Sequence, residues 1–122
     1  YAARGPDRLK YPWGNDFVPE AVVYYENSNK QTAEIGRYPS GASWVGALDM
    51  SGNVWEWVSS IYQPYPYQAD DGREDLNNTD DPRARRGGSF SNTLIYLRTT
   101  LRSRLNPSEQ IKTIGFRCAR DY

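Results

Sequence analysis

The chain has 122 residues, with fifteen Lys and Arg against fifteen Asp and Glu, no His and a single Cys. Its length suits one folded core, and the even charge leaves no overall positive field of the kind that indiscriminate nucleic-acid binding requires. Without imidazoles, Ser-His and Cys-His nucleophile pairs and histidine-held zinc are excluded, one thiol excludes a CxxC pair, and the remaining metal donors are oxygens, which suit calcium or magnesium.

Only 38% of the chain is apolar, yet it carries ten Tyr, four Trp and three Phe. The core is therefore expected to rest on a few large rings set among polar loops, in a turn-rich fold. No apolar run approaches the length of a bilayer span, and Cys118 has no partner for a disulfide within the chain. "YAAR" (Tyr1 to Arg4) reads as the last turn of a helix, since helix formers stand there with no start signal before them. "YPWGNDF" (Tyr11 to Phe17) reads as a turn pinned by the buried ring of Trp13. "VVYY" (Val22 to Tyr25) has the propensity of a short strand or extended segment and leads into the polar loop "ENSNK".

The strongest strand signal is "NVWEWVSS" (Asn53 to Ser60). Alternation puts Val54, Glu56 and Val58 on one face and Trp55, Trp57 and Ser59 on the other. The tryptophan face is expected to be core, which leaves Glu56 in need of solvent or a bound cation. Asp49 and Asn53, from the preceding loop, can reach the same point and with loop carbonyls would make a site of the calcium type. Equally, Asp49 and Asn53 can be turn residues beside a solvated Glu56; spacing leaves both readings open. Tyr62 to Arg85 reads as one long loop. Its carboxylates, Asp70, Asp71, Glu74, Asp75, Asp80 and Asp81, lack the order of an EF-hand and read as solvated charge. Gly87 and Gly88 mark a bend or a close approach to another strand.

Taken in order, "YPWGN" at Tyr11, "GALDMSGNVWEWVSS" at Gly46, "RRGGSF" at Arg85, "NP" at Asn106 and "IGFRCAR" at Ile114 resemble the formylglycine-generating enzyme family, also called the sulfatase-modifying-factor domain. The resemblance runs over essentially the whole chain. It implies an α+β fold of the C-type-lectin-like kind, irregular and loop-rich with short antiparallel strands. Residues 1–122 would form one such domain, corresponding to the C-terminal part of a larger domain whose other half is either supplied by an N-terminal partner chain or dispensed with. It also implies a calcium ion held by the side chain of Asp49, by Gly52 and Val54 through their carbonyls, and by Glu56. Family catalysis is a copper-dependent oxidation of a peptide cysteine that uses two cysteines after "RGGS". Here those positions are Asn92 and Leu97, so no catalytic residue is assigned and copper is not expected. The same comparison makes Cys118 a buried packing thiol, and makes Arg98, Arg102 and Arg104 braces seeking carboxylate or carbonyl partners.

Between those framework positions the segment from Phe90 to Pro107 resembles variable proteins of diversity-generating retroelements, which display a mutagenised lectin-like face on this scaffold. Ser91, Asn92, Thr93, Leu94, Tyr96, Thr99, Leu101, Ser103 and Leu105 are the expected face, meeting a protein or other ligand with a mixture of hydroxyl, apolar and Tyr groups. Three readings stand at this point: a non-catalytic binding module stabilised by calcium, which the missing cysteines favour; an oxidase of the family or a fragment of one; and a regulatory domain of a larger kinase or protease fusion.

Overall fold

The computed structural model describes residues 1–119. The Trp-rich segment forms strand β1 (Trp55–Ile61), followed by β2 (Arg83–Arg86), β3 (Arg102–Leu105) and β4 (Ile114–Gly115). They make one sheet in the order β3-β2-β1-β4. β2 pairs antiparallel with β3 in unbroken register, from Arg83 opposite Leu105 to Arg86 opposite Arg102. β1 pairs antiparallel with β2, with an irregularity between Trp57 and Ile61. β4 instead runs parallel to β1, placing Ile114 beside Trp55. The sheet is thus antiparallel-rich with one parallel edge, which the alternation of single strands does not encode.

Helical structure among the described residues is limited to three 3₁₀ turns, Pro19–Ala21, Pro39–Gly41 and Leu94–Leu97, and no helix is long and apolar enough to cross a membrane. The first two begin on Pro, whose fixed φ suits an opening turn. At Tyr1 to Gly5 the amide of Gly5 donates to the Tyr1 carbonyl at 2.9 Å, a single helical turn that ends where Gly5 takes φ +65°.

The core is built of rings, as the composition requires. Tyr11, Val22, Tyr24 and Leu97 are buried together with Trp13 and Phe17 packed against them. Tyr11 and Trp13 stack at 5.3 Å, and Phe17 meets Tyr11 and Tyr24 edge-on at 5.5 and 5.1 Å. The buried ring of the "YPWGN" turn is Tyr11, and Trp13 is only partly covered. The Tyr11–Gly14 bridge folds the segment back on itself, so Trp13 becomes an outer layer whose indole N–H donates to the Asp16 carbonyl at 3.1 Å.

Val22, Val23 and Tyr24 are buried and extended without joining a ladder. Their backbone is satisfied piecemeal: Asn53 N donates to the Val23 carbonyl at 2.9 Å, and Tyr24 N donates to Asn27 Oδ1 at 2.9 Å. Gly52 makes this approach possible. It has φ +78°, and a Cβ there would lie 2.3 Å from the Val23 carbonyl oxygen. The long loop after β1 ends at Pro82 because Arg83–Arg86 pair on both sides. It is not wholly solvated charge, since Arg73 is buried in it with Asp71 at 2.5 Å.

Candidate functional site

The loop leading into β1 is turned by three residues with positive φ, Asp49 at 54°, Gly52 at 78° and Asn53 at 59°. The result is a cavity of about 220 Å³ whose lining includes Asp49, Gly52, Val54 and Glu56, with Ile35, Leu48 and Phe116 as apolar walls. All four residues expected to hold calcium therefore meet in one place. Asn53 has a different task. Its Oδ1 accepts from Ala33 N at 3.0 Å and its Nδ2 donates to the Ala33 carbonyl at 3.2 Å, fastening the loop to the chain before it.

The cavity also contains a cation that strand alternation does not place there. Arg117 Nε and Nη2 donate to Glu56 Oε2 and Oε1, each at 2.6 Å. Its Nη1 and Nη2 donate further to the carbonyls of Leu48 and Asp49 at 3.0 and 3.1 Å. The Glu56 bond chiefly, and the charges of Glu56 and Asp49, raise the guanidinium above its ordinary pKa against the cost of burial. Asp49 Oδ2 accepts from Gly36 N at 2.8 Å. Two carboxylates and two carbonyl-bearing residues are hard oxygen donors and fit calcium in kind. Among the described residues no three His, Cys, Asp or Glu side chains cluster for a metal, so backbone oxygen would have to complete the shell, and Glu56 would have to be shared with or released by Arg117. Cys118, expected to be buried, is exposed. β4 ends at Gly115, so the thiol lies past the sheet.

The nine residues of the expected ligand face divide by task. Ser91, Thr93, Leu94 and Tyr96 are exposed around the Leu94–Leu97 turn. With Ile95, which the sequence reading passed over, they form a knuckle in which Leu94, Ile95 and Tyr96 are 38%, 50% and 42% exposed. The turn is held from beneath by Leu97, which is fully buried and whose carbonyl accepts from Ser51 Oγ at 2.8 Å. Asn92 is a brace: its Oδ1 accepts from Ser89 N and Oγ at 3.0 and 2.8 Å. Thr99 is another, bonding the carbonyls of Leu9 and Lys10 at 2.6 and 2.9 Å. Leu101 precedes β3, and Ser103 and Leu105 lie within it, all half-buried.

Residues 1–122 match the sulfatase-modifying factor enzyme 1-like domain. The chain belongs to this family. Among relatives of the sulfatase-modifying-factor chain, the hercynine oxygenase of Mycobacterium tuberculosis is 36% identical over 93% of this chain and 28% of its own length. The formylglycine-generating enzyme of the same organism is 31% identical over 99% of this chain and 48% of its own length. The chain thus spans less than half the length of these relatives. The solved structure of Treponema denticola variable protein 1 superposes with a TM-score of 0.77 at 24% identity, covering 95% of this chain and 42% of that one. The sulfatase-modifying-factor chain accordingly has the C-type-lectin-like fold that its motifs imply, loop-rich around a small curled sheet.

Proposed function

We propose that the chain is a non-catalytic ligand-binding module on the formylglycine-generating-enzyme scaffold, of the kind found in diversity-generating-retroelement variable proteins. The observation that carries this reading is the use made of the two positions where the family resemblance implies redox cysteines. Asn92 ties down the backbone and hydroxyl of Ser89, and Leu97 is sealed in the core. Neither has a soft donor or an open coordination position to offer copper, and the thiol of Cys118 lies elsewhere on the exposed segment after β4. What the same segment presents to solvent is Ser91, Thr93, Leu94, Ile95 and Tyr96 on a short turn with a buried anchor. Rigid aromatic and aliphatic groups flanked by hydroxyls suit contact with a protein surface at small entropic cost. Calcium belongs to this proposal as a brace behind the sheet, held by Asp49, Gly52, Val54 and Glu56. Bound there, it supplies positive charge that fixes the loop entering β1.

Two measurements test the reading. Peptides selected from a displayed library against the chain are expected to lose at least about ten-fold in affinity when Leu94 and Tyr96 are both changed to Ser, as truncated anchors do; binders indifferent to the change would overturn the assignment of the face. Copper-loaded chain incubated in air with a cysteine-containing peptide is expected to leave the peptide mass unchanged, and aldehyde formation would restore the oxidase reading. Sequencing sibling loci gives a third arm. Differences concentrated between Phe90 and Thr113 mark a diversified binder, whereas an even spread marks a fixed one.

A further inference from the structure

The opposite side of the sheet from Trp55 and Arg85 carries a second feature that the binding reading does not use. Arg86 and Arg102 stand directly opposite one another on β2 and β3, a like-charged cross-strand pair, while Glu56, opposite Arg86 on β1, has its carboxylate bound by Arg117 instead. Both line a groove walled by Val58, Ser60, Tyr65 and Tyr67. A neighbouring cavity of about 640 Å³ shares Val58, Tyr65 and Arg86 with it and adds Arg4 and Thr99. Four guanidiniums, those of Arg4, Arg73, Arg86 and Arg102, therefore border these adjoining depressions. Among the described residues the ion pairs are Arg73–Asp71 and Arg117–Glu56, so Arg4, Arg86 and Arg102 have no carboxylate partner there, and Arg4 Nε is buried without a hydrogen-bond acceptor.

Their neutral contacts hold them in place. The Arg102 guanidinium lies 3.9 Å from the Tyr65 ring centroid and 4.4 Å from that of Tyr62, and its Nη2 donates to the Gln63 carbonyl at 2.6 Å. Arg86 Nη2 donates to the Tyr65 hydroxyl at 3.3 Å. Arg73, beneath the Tyr67 ring at 4.8 Å, donates to the carbonyls of Pro64 and Pro66 at 3.3 Å each and so fixes the loop that presents Tyr65 and Tyr67. The far rim is acidic: Glu74 accepts from Ser60 Oγ at 2.9 Å and from the Tyr67 hydroxyl at 3.3 Å. That rim and the zero net charge disfavour a polyanion such as nucleic acid, whose binding needs an extended positive field. They tolerate separate carboxylates, each of which matches a guanidinium fork.

We infer that this Arg–Tyr groove is a docking site for an acidic, extended peptide segment, with Arg86, Arg102 and Arg4 receiving its carboxylates and Tyr65 and Tyr67 covering its backbone. The site is independent of the Ser91–Tyr96 knuckle, from which the groove takes no residue. It is tested by titrating the 122-residue chain with Ac-Glu-Ser-Glu-Ser-Glu-NH₂ and with Ac-Gln-Ser-Gln-Ser-Gln-NH₂. The expected result is that the Glu peptide binds at least about ten-fold more tightly than the Gln peptide, and that Arg86→Gln and Arg102→Gln each lose about ten-fold while Tyr96→Ser loses nothing. Arg102 also braces a carbonyl, so Arg4→Gln, which gives up one 3.3 Å bond to the Arg8 carbonyl, serves as a second variant, with its fold verified by an unchanged unfolding midpoint; it too is expected to weaken the Glu peptide. Equal binding of the two peptides, unchanged affinity in the folded Arg variants, absence of Glu-peptide binding, or preferential displacement by inorganic phosphate or a short oligonucleotide would each overturn the assignment.

Discussion

At the scale of single residues, electrostatics separates tyrosines that composition treats alike. Tyr65 is held below the ordinary tyrosine pKa of about 10, first by its hydrogen bond from Arg86 and then by the charges of Arg86, Arg102 and Arg73, against some burial. Tyr24 is raised, first by burial and then by its bond to Glu26. The signs differ accordingly. Tyr24 contributes stability that is whole below the unfolded pKa and is lost as pH rises through its folded value. Tyr65 contributes stability present above the unfolded pKa and lost as pH falls through its lowered one. In an NMR titration of tyrosine ring carbons, Tyr65 is expected to ionise before Tyr24, and Arg86→Gln is expected to move Tyr65 upward while leaving Tyr24 in place. Nothing in the sequence distinguishes these two rings, because Glu26 is a near neighbour of Tyr24 but Arg86 reaches Tyr65 only through the sheet. Cys118 shows the same limit: a motif position implied burial, and the end of β4 left it in solvent.

At the scale of elements, the decisive joint is the crossing of the Asp49–Asn53 loop over the Val22–Tyr24 segment. Gly52→Ala is expected to cost about 3 kcal/mol in chemical denaturation, because a Cβ would strike the Val23 carbonyl oxygen in a backbone conformation already unfavourable for other residues. Leu97→Ala is expected to cost a similar amount, about 3 kcal/mol, through the cavity left under the knuckle. β1 was legible in advance because Trp and Val alternate on two faces with a glycine turn before them. The Val22–Tyr24 segment was legible only as far as its extension. Whether an extended run becomes a strand depends on a neighbouring edge, and here single side chains and a loop amide take the places of a partner strand. That Asp49, Gly52, Val54 and Glu56 lie close together was legible from the motif, but the guanidinium among them was not, because Arg117 arrives just past the parallel strand β4, far along the chain.

At the scale of the whole molecule, the fold and the candidate cation site make one stability experiment. Calcium at a hundred-fold excess over its dissociation constant is expected to stabilise the chain by about 2.7 kcal/mol, read as a higher midpoint in calorimetry, with chelator removing the gain and Glu56→Gln abolishing it. Arg117→Gln is expected to cost about 1 kcal/mol or less without calcium, since the Arg117–Glu56 pair is partly solvated, and to enlarge the calcium response by freeing Glu56. A midpoint indifferent to calcium in both wild type and Arg117→Gln would remove calcium from the proposal and leave the guanidinium as the site's resident cation. The overall architecture was legible because five motif blocks fall in a family order; the Arg–Tyr groove was not, since its members come from three strands and two loops whose meeting only register defines. One contact has a further consequence for biosynthesis. Thr99 bonds the Leu9 carbonyl across 90 positions of chain, and Leu97 closes the ring-lined core that starts at Tyr11. The ring-lined core therefore cannot close before the Leu97–Thr99 segment has been synthesised, and nascent-chain interactions of its aromatic residues with holding chaperones are expected to persist until that segment emerges from the ribosome.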